Sequence, residues 1–138
     1  MKANRLRWFL VFLLGNAVFQ LPAQQSEADR KLLADIRAKA DKGDAVAQFY
    51  LGFCYYKGQR VAKDEAEAVK WYRKAAEQND AEAQNNLGDC YANGQGVEKD
   101  YVEGYKWSLL AVGQGVEGAS ESLTTLEARM TPEQIAEG

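Results

Sequence analysis

Few residues in this chain could do covalent chemistry. Cysteine occurs twice, at Cys54 and Cys90, 36 residues apart, and histidine does not occur. The usual general base and the commonest metal ligand are therefore missing. No Ser-His or Cys-His nucleophile can be assembled, and there is no Ser-x-x-Lys, no Walker loop and no dinucleotide-binding glycine fingerprint. Two cysteines without histidine or a Cys-x-x-Cys spacing do not make a zinc site. No enzyme, metal or cofactor is expected. The carboxylate pairs Asp64/Glu67 and Asp100/Glu103 are better explained as helix caps than as an acid and a base. What remains is the chemistry of binding. Val46, Phe49, Phe53 and Tyr56 follow one another at spacings of 3, 4 and 3, an aromatic stripe on a helix. The matching residues 36 positions later are Glu82, Asn85, Asp89 and Ala92. Apolar anchors beside hydrogen-bonding neighbours are what a peptide groove offers.

The elements that would hold these residues are repeated. Residues 44–79 and 80–115 align without gaps and agree at 18 of 36 positions, Leu51/Leu87, Gly52/Gly88, Tyr55/Tyr91, Gly58/Gly94 and Trp71/Trp107 among them. Each copy reads as two helices. Asp44 and Asp80 are good N-caps for the first, and Gly58 and Gly94 supply the left-handed stop. The second helix opens on Asp64 or Asp100 with glutamate three residues on, the pattern of a capping box. Ala68, Trp71, Tyr72, Ala75 and Ala76 then form an apolar stripe at helical spacing. Arg60 in place of the second loop glycine predicts an altered turn in the first copy. Gly104 for Ala68 and Ser108 for Tyr72 predict loosening in the second.

The flanks fit the same period. Residues 24–43 read as an N-terminal capping helix, a lone second helix with Ala40 at the Ala76 position. Residues 116–138 read as a partial third repeat, with Ala119 and Leu123 in register and Thr131-Pro-Glu-Gln134 starting one more helix. Its end, near Leu123 and Leu126, is expected to be incompletely covered and so capable of self-association.

Residues 1–23 stand apart. Lys2, Arg5 and Arg7 precede an almost wholly apolar run from Trp8 to Phe19, followed by Leu21-Pro22-Ala23. This reads as a secretory signal peptide cut near Ala23, with an uncleaved anchor as the alternative. The run is shorter than the ~20 residues that span a bilayer. The expected location is the periplasm or the exterior. Beyond Ala23 the 14 remaining basic residues face all 20 acidic ones, a net charge of −6. An acidic chain repels phosphate backbones, so nucleic acid is not an expected partner.

The pattern Ala-x-Ala-Gln-x-x-Leu-Gly-x-x-Tyr-x-x-Gly-x-Gly-Val-x-x-Asp, complete in residues 81–100, and Trp-Tyr-x-x-Ala-Ala at 71–76 resemble the Sel-1-like repeat, a relative of the tetratricopeptide repeat. The resemblance covers about residues 30–138. It implies an all-α, right-handed solenoid of antiparallel helix pairs with a 36-residue repeat, and adaptor or scaffold work on a protein or peptide partner. In such repeats the first helices line a concave groove. That would place Phe49, Phe53 and Tyr56 on its floor, with Asn85 and Asp89 as polar contacts. The competing reading is that Leu32, Leu33 and Ile36 of the capping helix bury the stripe. Some cysteine-rich relatives have been linked to cell-wall or β-lactam chemistry, which the missing motifs count against here. Neighbouring helix axes lie about 8–10 Å apart, too far for a Cys54–Cys90 bridge, so two buried thiols are expected.

Overall fold

The structure is a computed structural model and describes residues 26–138. The signal-peptide reading of residues 1–23 lies outside the described residues. Seven helices and no strand occur among the described residues: α1 (Glu27–Asp41), α2 (Ala45–Lys57), α3 (Glu65–Glu77), α4 (Ala81–Asn93), α5 (Tyr101–Gly113), α6 (Ala119–Glu127) and α7 (Pro132–Glu137). None of them is long and apolar enough to cross a membrane. The chain divides into two units at Leu32 and Leu33. The described part of the first is the start of α1, where Ser26 Oγ accepts from the Asp29 N–H at 3.2 Å. The second, residues 33–138, is a right-handed solenoid of antiparallel helix pairs.

The helix boundaries follow from their caps. Asp44 Oδ1 accepts from the Ala47 N–H, and Asp80 Oδ1 from the Ala83 N–H, each at 2.8 Å. Gly58 and Gly94 close α2 and α4 with φ of 67° and return their N–H groups to the Cys54 and Cys90 carbonyls. Asp64 and Asp100 likewise cap α3 and α5. The expected capping boxes close on one side only. The N–H groups of Asp64 and Asp100 are already donated to the carbonyls of Tyr55 and Tyr91. Glu67 and Glu103 turn instead to the indole N–H of Trp71 and Trp107, at 3.0 Å in both repeats. The Thr131 box on α7 does close on both sides. Helix α6 starts later than its equivalents because the cap position is Val116, not aspartate. The chain turns through Gly115 and Gly118 at positive φ before the helix can begin.

Three apolar clusters run along the repeat axis. Leu33 and Ile36 of α1 pack on Ala40, Ala47, Leu51 and Trp71. The central cluster holds Ala68, Tyr72, Ala75, Ala83, Leu87 and Tyr91. The last holds Ala92, Tyr105, Leu123 and Leu126, with Met130 and Ile135 against it. Leu123 and Leu126 are therefore buried, and the apolar end that motivated self-association is filled by residues around α7. The two positions expected to loosen the second repeat are closely packed. Gly104 and Ser108 are buried, and a Cβ on Gly104 would come within 3.0 Å of the Gly88 carbonyl oxygen. The glycine is a helix-to-helix contact.

Neighbouring helices are also tied by a buried amide relay. Gln78 Nε2 donates to Gln48 Oε1 at 2.7 Å, and Gln48 Nε2 donates to the Ala40 carbonyl at 3.1 Å. One repeat on, Gln114 donates to Gln84 Oε1 at 2.7 Å and Gln84 donates to the Ala76 carbonyl at 3.2 Å. Each relay joins the second helix before, the first helix, and the end of the second helix after. Arginines add a matching tie, Arg37 to the Tyr55 hydroxyl and Arg73 to the Tyr91 hydroxyl.

The altered turn expected at Arg60 does not occur. Arg60 has φ 64° and Gly96 has φ 68°, so both loops take the same left-handed path. The difference lies in what they touch. A Cβ at Gly96 would sit 2.1 Å from the Glu65 carbonyl oxygen at the start of α3. Gly96→Ala is therefore expected to cost at least ~2 kcal/mol, because the backbone must move. Arg60→Ala keeps a side chain at a position that already carries one and is expected to cost under ~1 kcal/mol. Chemical denaturation of the two variants checks this, and equal losses would contradict it.

Candidate functional site

Within the second unit, successive first helices supply the walls of two cavities. Phe53, Tyr56 and Lys57 come from α2, Tyr72 from α3, and Asn86, Asp89 and Cys90 from α4. With Gln95 from the following loop they line a cavity of about 200 Å³. A second cavity of about 430 Å³ lies further along, between α4 and α6. Its walls include Asp89, Ala92, Asn93, Glu121, Thr125, Leu126 and Arg129. Asp89 lines both, so the two follow one another along the first helices.

The floor of the first cavity is aromatic. Phe49 lies 6.0 Å and Tyr56 6.4 Å from the Tyr72 ring, centroid to centroid, and Phe49 lies 6.4 Å from Phe53. The Tyr56 hydroxyl donates to Gln95 Oε1 at 3.2 Å, which fixes the loop as a wall. The Lys57 ammonium lies 5.8 Å from the Phe53 ring centroid and 5.6 Å from that of Tyr56.

Of the five residues singled out from sequence, three line this cavity: Phe53, Tyr56 and Asp89. Phe49 packs behind it on the central cluster. Asn85 is half-buried outside the lining, with its Oδ1 enclosed and unpartnered. Its neighbour Asn86 takes the place on the wall. Leu33 and Ile36 pack on a different cluster from the stripe, and Val46 stays 57 % exposed. Two members of the stripe, Phe49 and Tyr56, lie against the Tyr72 ring. Sequence reasoning missed Lys57, Tyr72 and Asn86. Tyr72 carried one signal, the serine at the same position of the next repeat.

The polar groups here are poorly satisfied. Burial pushes the Asp89 carboxyl above the ordinary carboxylate value, and no ion pair or side-chain hydrogen bond holds it among the described residues. The Tyr72 side chain is 1 % exposed, yet its hydroxyl has no hydrogen-bond partner. Its ionisation is shifted far upward, first by burial and then by the nearby Cys90, against a smaller opposing effect of the Asn86 side chain. Cys54 and Cys90 are both buried free thiols. Burial, with the carboxylates of Asp89 and Glu65, pushes Cys90 up to about 12, so it stays a thiol and not a nucleophile.

Stacked helix pairs with a repeated sequence define an all-helical repeat protein. The Sel1 repeat model matches residues 45–80 and 81–116, just over half of the chain. The chain belongs to the Sel1 repeat family, whose repeats generally mediate protein–protein interaction and are typically not enzymes. A crystal structure of a protective antigen present in uropathogenic Escherichia coli strains, displaying an SLR fold, superposes with a TM-score of 0.77 at 35 % identity. That match covers 87 % of this chain and 26 % of the antigen. Cysteine rich protein B of Helicobacter pylori gives a TM-score of 0.64 at 29 % identity, over 68 % of this chain and 71 % of that one. The secretory immunoglobulin A-binding protein EsiB of Escherichia coli is 40 % identical over 43 residues, 31 % of this chain and 9 % of EsiB. The chain thus matches only a small part of EsiB and of the antigen.

Two predictions follow from the unsatisfied groups. Folded Asp89 keeps its proton to higher pH than the ordinary 3.8, so it contributes stability that is full below that value and lost as pH rises through its raised value. Asp89→Asn is expected to be at least as stable as wild type near neutrality, with the difference shrinking in acid. Thermal melts across this range check it, and a variant less stable at neutral pH would contradict it. Tyr72→Phe removes a hydroxyl that bonds to nothing and is expected to hold or raise Tm. A loss of the ~1 kcal/mol usual for a broken hydrogen bond would show that the hydroxyl is satisfied.

Proposed function

We propose that this chain is an exported, non-enzymatic adaptor that binds a peptide or protein segment along the concave face of α2, α4 and α6. The observation that carries the reading is the pair of consecutive cavities sharing Asp89. A segment laid across the first helices would meet aromatic rings, then a carboxylate and amides, within one path. Apolar anchors give affinity and placed polar groups give orientation. EsiB is named for binding an immunoglobulin, which favours a protein partner, though this chain matches only 9 % of it. Export is supported by the basic start and apolar run before Ala23.

The test is affinity capture from bacterial envelope extract, with Asp89→Arg and Lys74→Glu run beside the wild type. Asp89 lies in the groove, whereas Lys74 is exposed on α3 over the Trp71 ring. Phe53 is a poor probe because it packs on the central cluster, and a charge there would disturb the fold. The expected result is a partner kept by wild type and Lys74→Glu and lost by Asp89→Arg. The same proteins retained by all three would remove the groove from the account.

A further inference from the structure

The groove has a particular deficit, and this inference rests on the groove reading above. Two side chains in the first cavity lack partners. Tyr72, only 1 % exposed, is one of the residues lining the cavity, and its hydroxyl, with the Asn86 side chain nearby, makes no hydrogen bond of normal geometry. The Asp89 carboxylate has no ion pair and no side-chain hydrogen bond among the described residues. A buried polar group left unpaired costs stability unless something external satisfies it. Nearby cations do not meet the need. Lys57 is placed over the Phe53 and Tyr56 rings. Arg129 lies 5.5 Å from the Tyr101 ring centroid and donates to Asn93 Oδ1 at 3.2 Å. A second carboxylate, Glu121, faces the adjoining cavity.

We propose that the cavity beside Asp89 is a cation subsite, which takes the guanidinium of an arginine on an extended segment of a protein partner. Asp89 serves as its counter-ion and the Tyr72 hydroxyl as a second acceptor. The cavity of about 200 Å³ has room for one such side chain. Arginine suits it better than lysine. Its planar fork carries five donors, enough for two separated acceptors, and it stacks on aromatic walls such as Phe53 and Tyr56. A partner with basic residues also complements a chain that carries 20 acidic against 14 basic residues beyond Ala23. An anionic occupant would meet Asp89 and Glu121. The exposed arm of Lys57 lies over the rings that the guanidinium would use. It therefore opposes a cation both by charge and by position.

Lys57 makes the test directional. Short acetylated and amidated alanine–serine peptides with a central arginine, citrulline or glutamate are titrated into the protein. Affinity is followed through the Asn86 side-chain amide resonance. The arginine peptide is expected to bind at least ~10-fold more tightly than its neutral citrulline isostere, the size of one charge-assisted hydrogen bond. Asp89→Asn removes that preference, Tyr72→Phe weakens arginine binding in a protein that stays folded, and Lys57→Met strengthens it. Citrulline or glutamate binding as well as arginine, or Lys57→Met weakening the arginine peptide, would overturn the subsite while leaving the groove in place. Binding of none of the three at millimolar concentration would also overturn it, and the capture experiment then decides the groove separately.

Discussion

Two glutamines that cannot be left unpaired organise this solenoid. Gln48 is 5 % and Gln84 2 % exposed, and each is placed where three helices meet. A buried primary amide without partners loses its hydration and gains nothing in return. Each glutamine therefore needs a carbonyl from the helix before it and an amide from the helix after it, and the repeat supplies both: Ala40 and Gln78 for one, Ala76 and Gln114 for the other. Apolar contacts would tolerate a small sliding of one helix pair on the next. A directional relay does not, because the amides must meet at 2.7 to 3.2 Å. This fixes the step between repeats, so that positions 36 residues apart occupy equivalent places on successive first helices. Phe53 and Asp89 come to line one cavity for that reason.

With stacking secured by shared residues, the unshared ones are free to differ. The concave positions change from Phe49 and Phe53 in one repeat to Asn85 and Asp89 in the next, while Leu51/Leu87 and Gly52/Gly88 do not change. The groove also holds groups that stability alone would not keep. Burial raises the Asp89 carboxyl, and the Tyr72 hydroxyl is unpartnered. Places where a fold gives up local satisfaction are places where a ligand can repay it.

The fold was legible because its signals are local and doubled. Aspartate caps, left-handed glycines and the 36-residue period each appear twice, and the helices begin and end where they indicate. Misreadings arose where a residue's partner lies elsewhere in the chain. Glu67 and Glu103 have the spacing of a capping box, but Tyr55 and Tyr91 had already taken the N–H groups they would need. Gly104 looks like a helix weakness until Gly88 is seen against it. Arg60 looked like a changed turn, yet the contact that demands glycine, with Glu65, exists only at Gly96. The site was half legible. The aromatic stripe marks the face of α2 from which Phe53 and Tyr56 reach the first cavity. Adjacent residues on a helix point about 100° apart, and the period alone does not say that Asn86 rather than Asn85 lines the cavity. Nor does a stripe of core aromatics announce that one hydroxyl, on Tyr72, lacks a partner.

The most direct test of this account is a double-mutant cycle on the second relay, with Gln84→Met, Gln114→Met and both together, followed by chemical denaturation. If the relay sets the step between repeats, the two losses are coupled by on the order of 1 kcal/mol, since Gln114→Met leaves Gln84 Oε1, on a side chain only 2 % exposed, without its donor, a loss that Gln84→Met has already removed. Losses that add to within a few tenths of a kcal/mol would show that apolar packing sets the step without the relay.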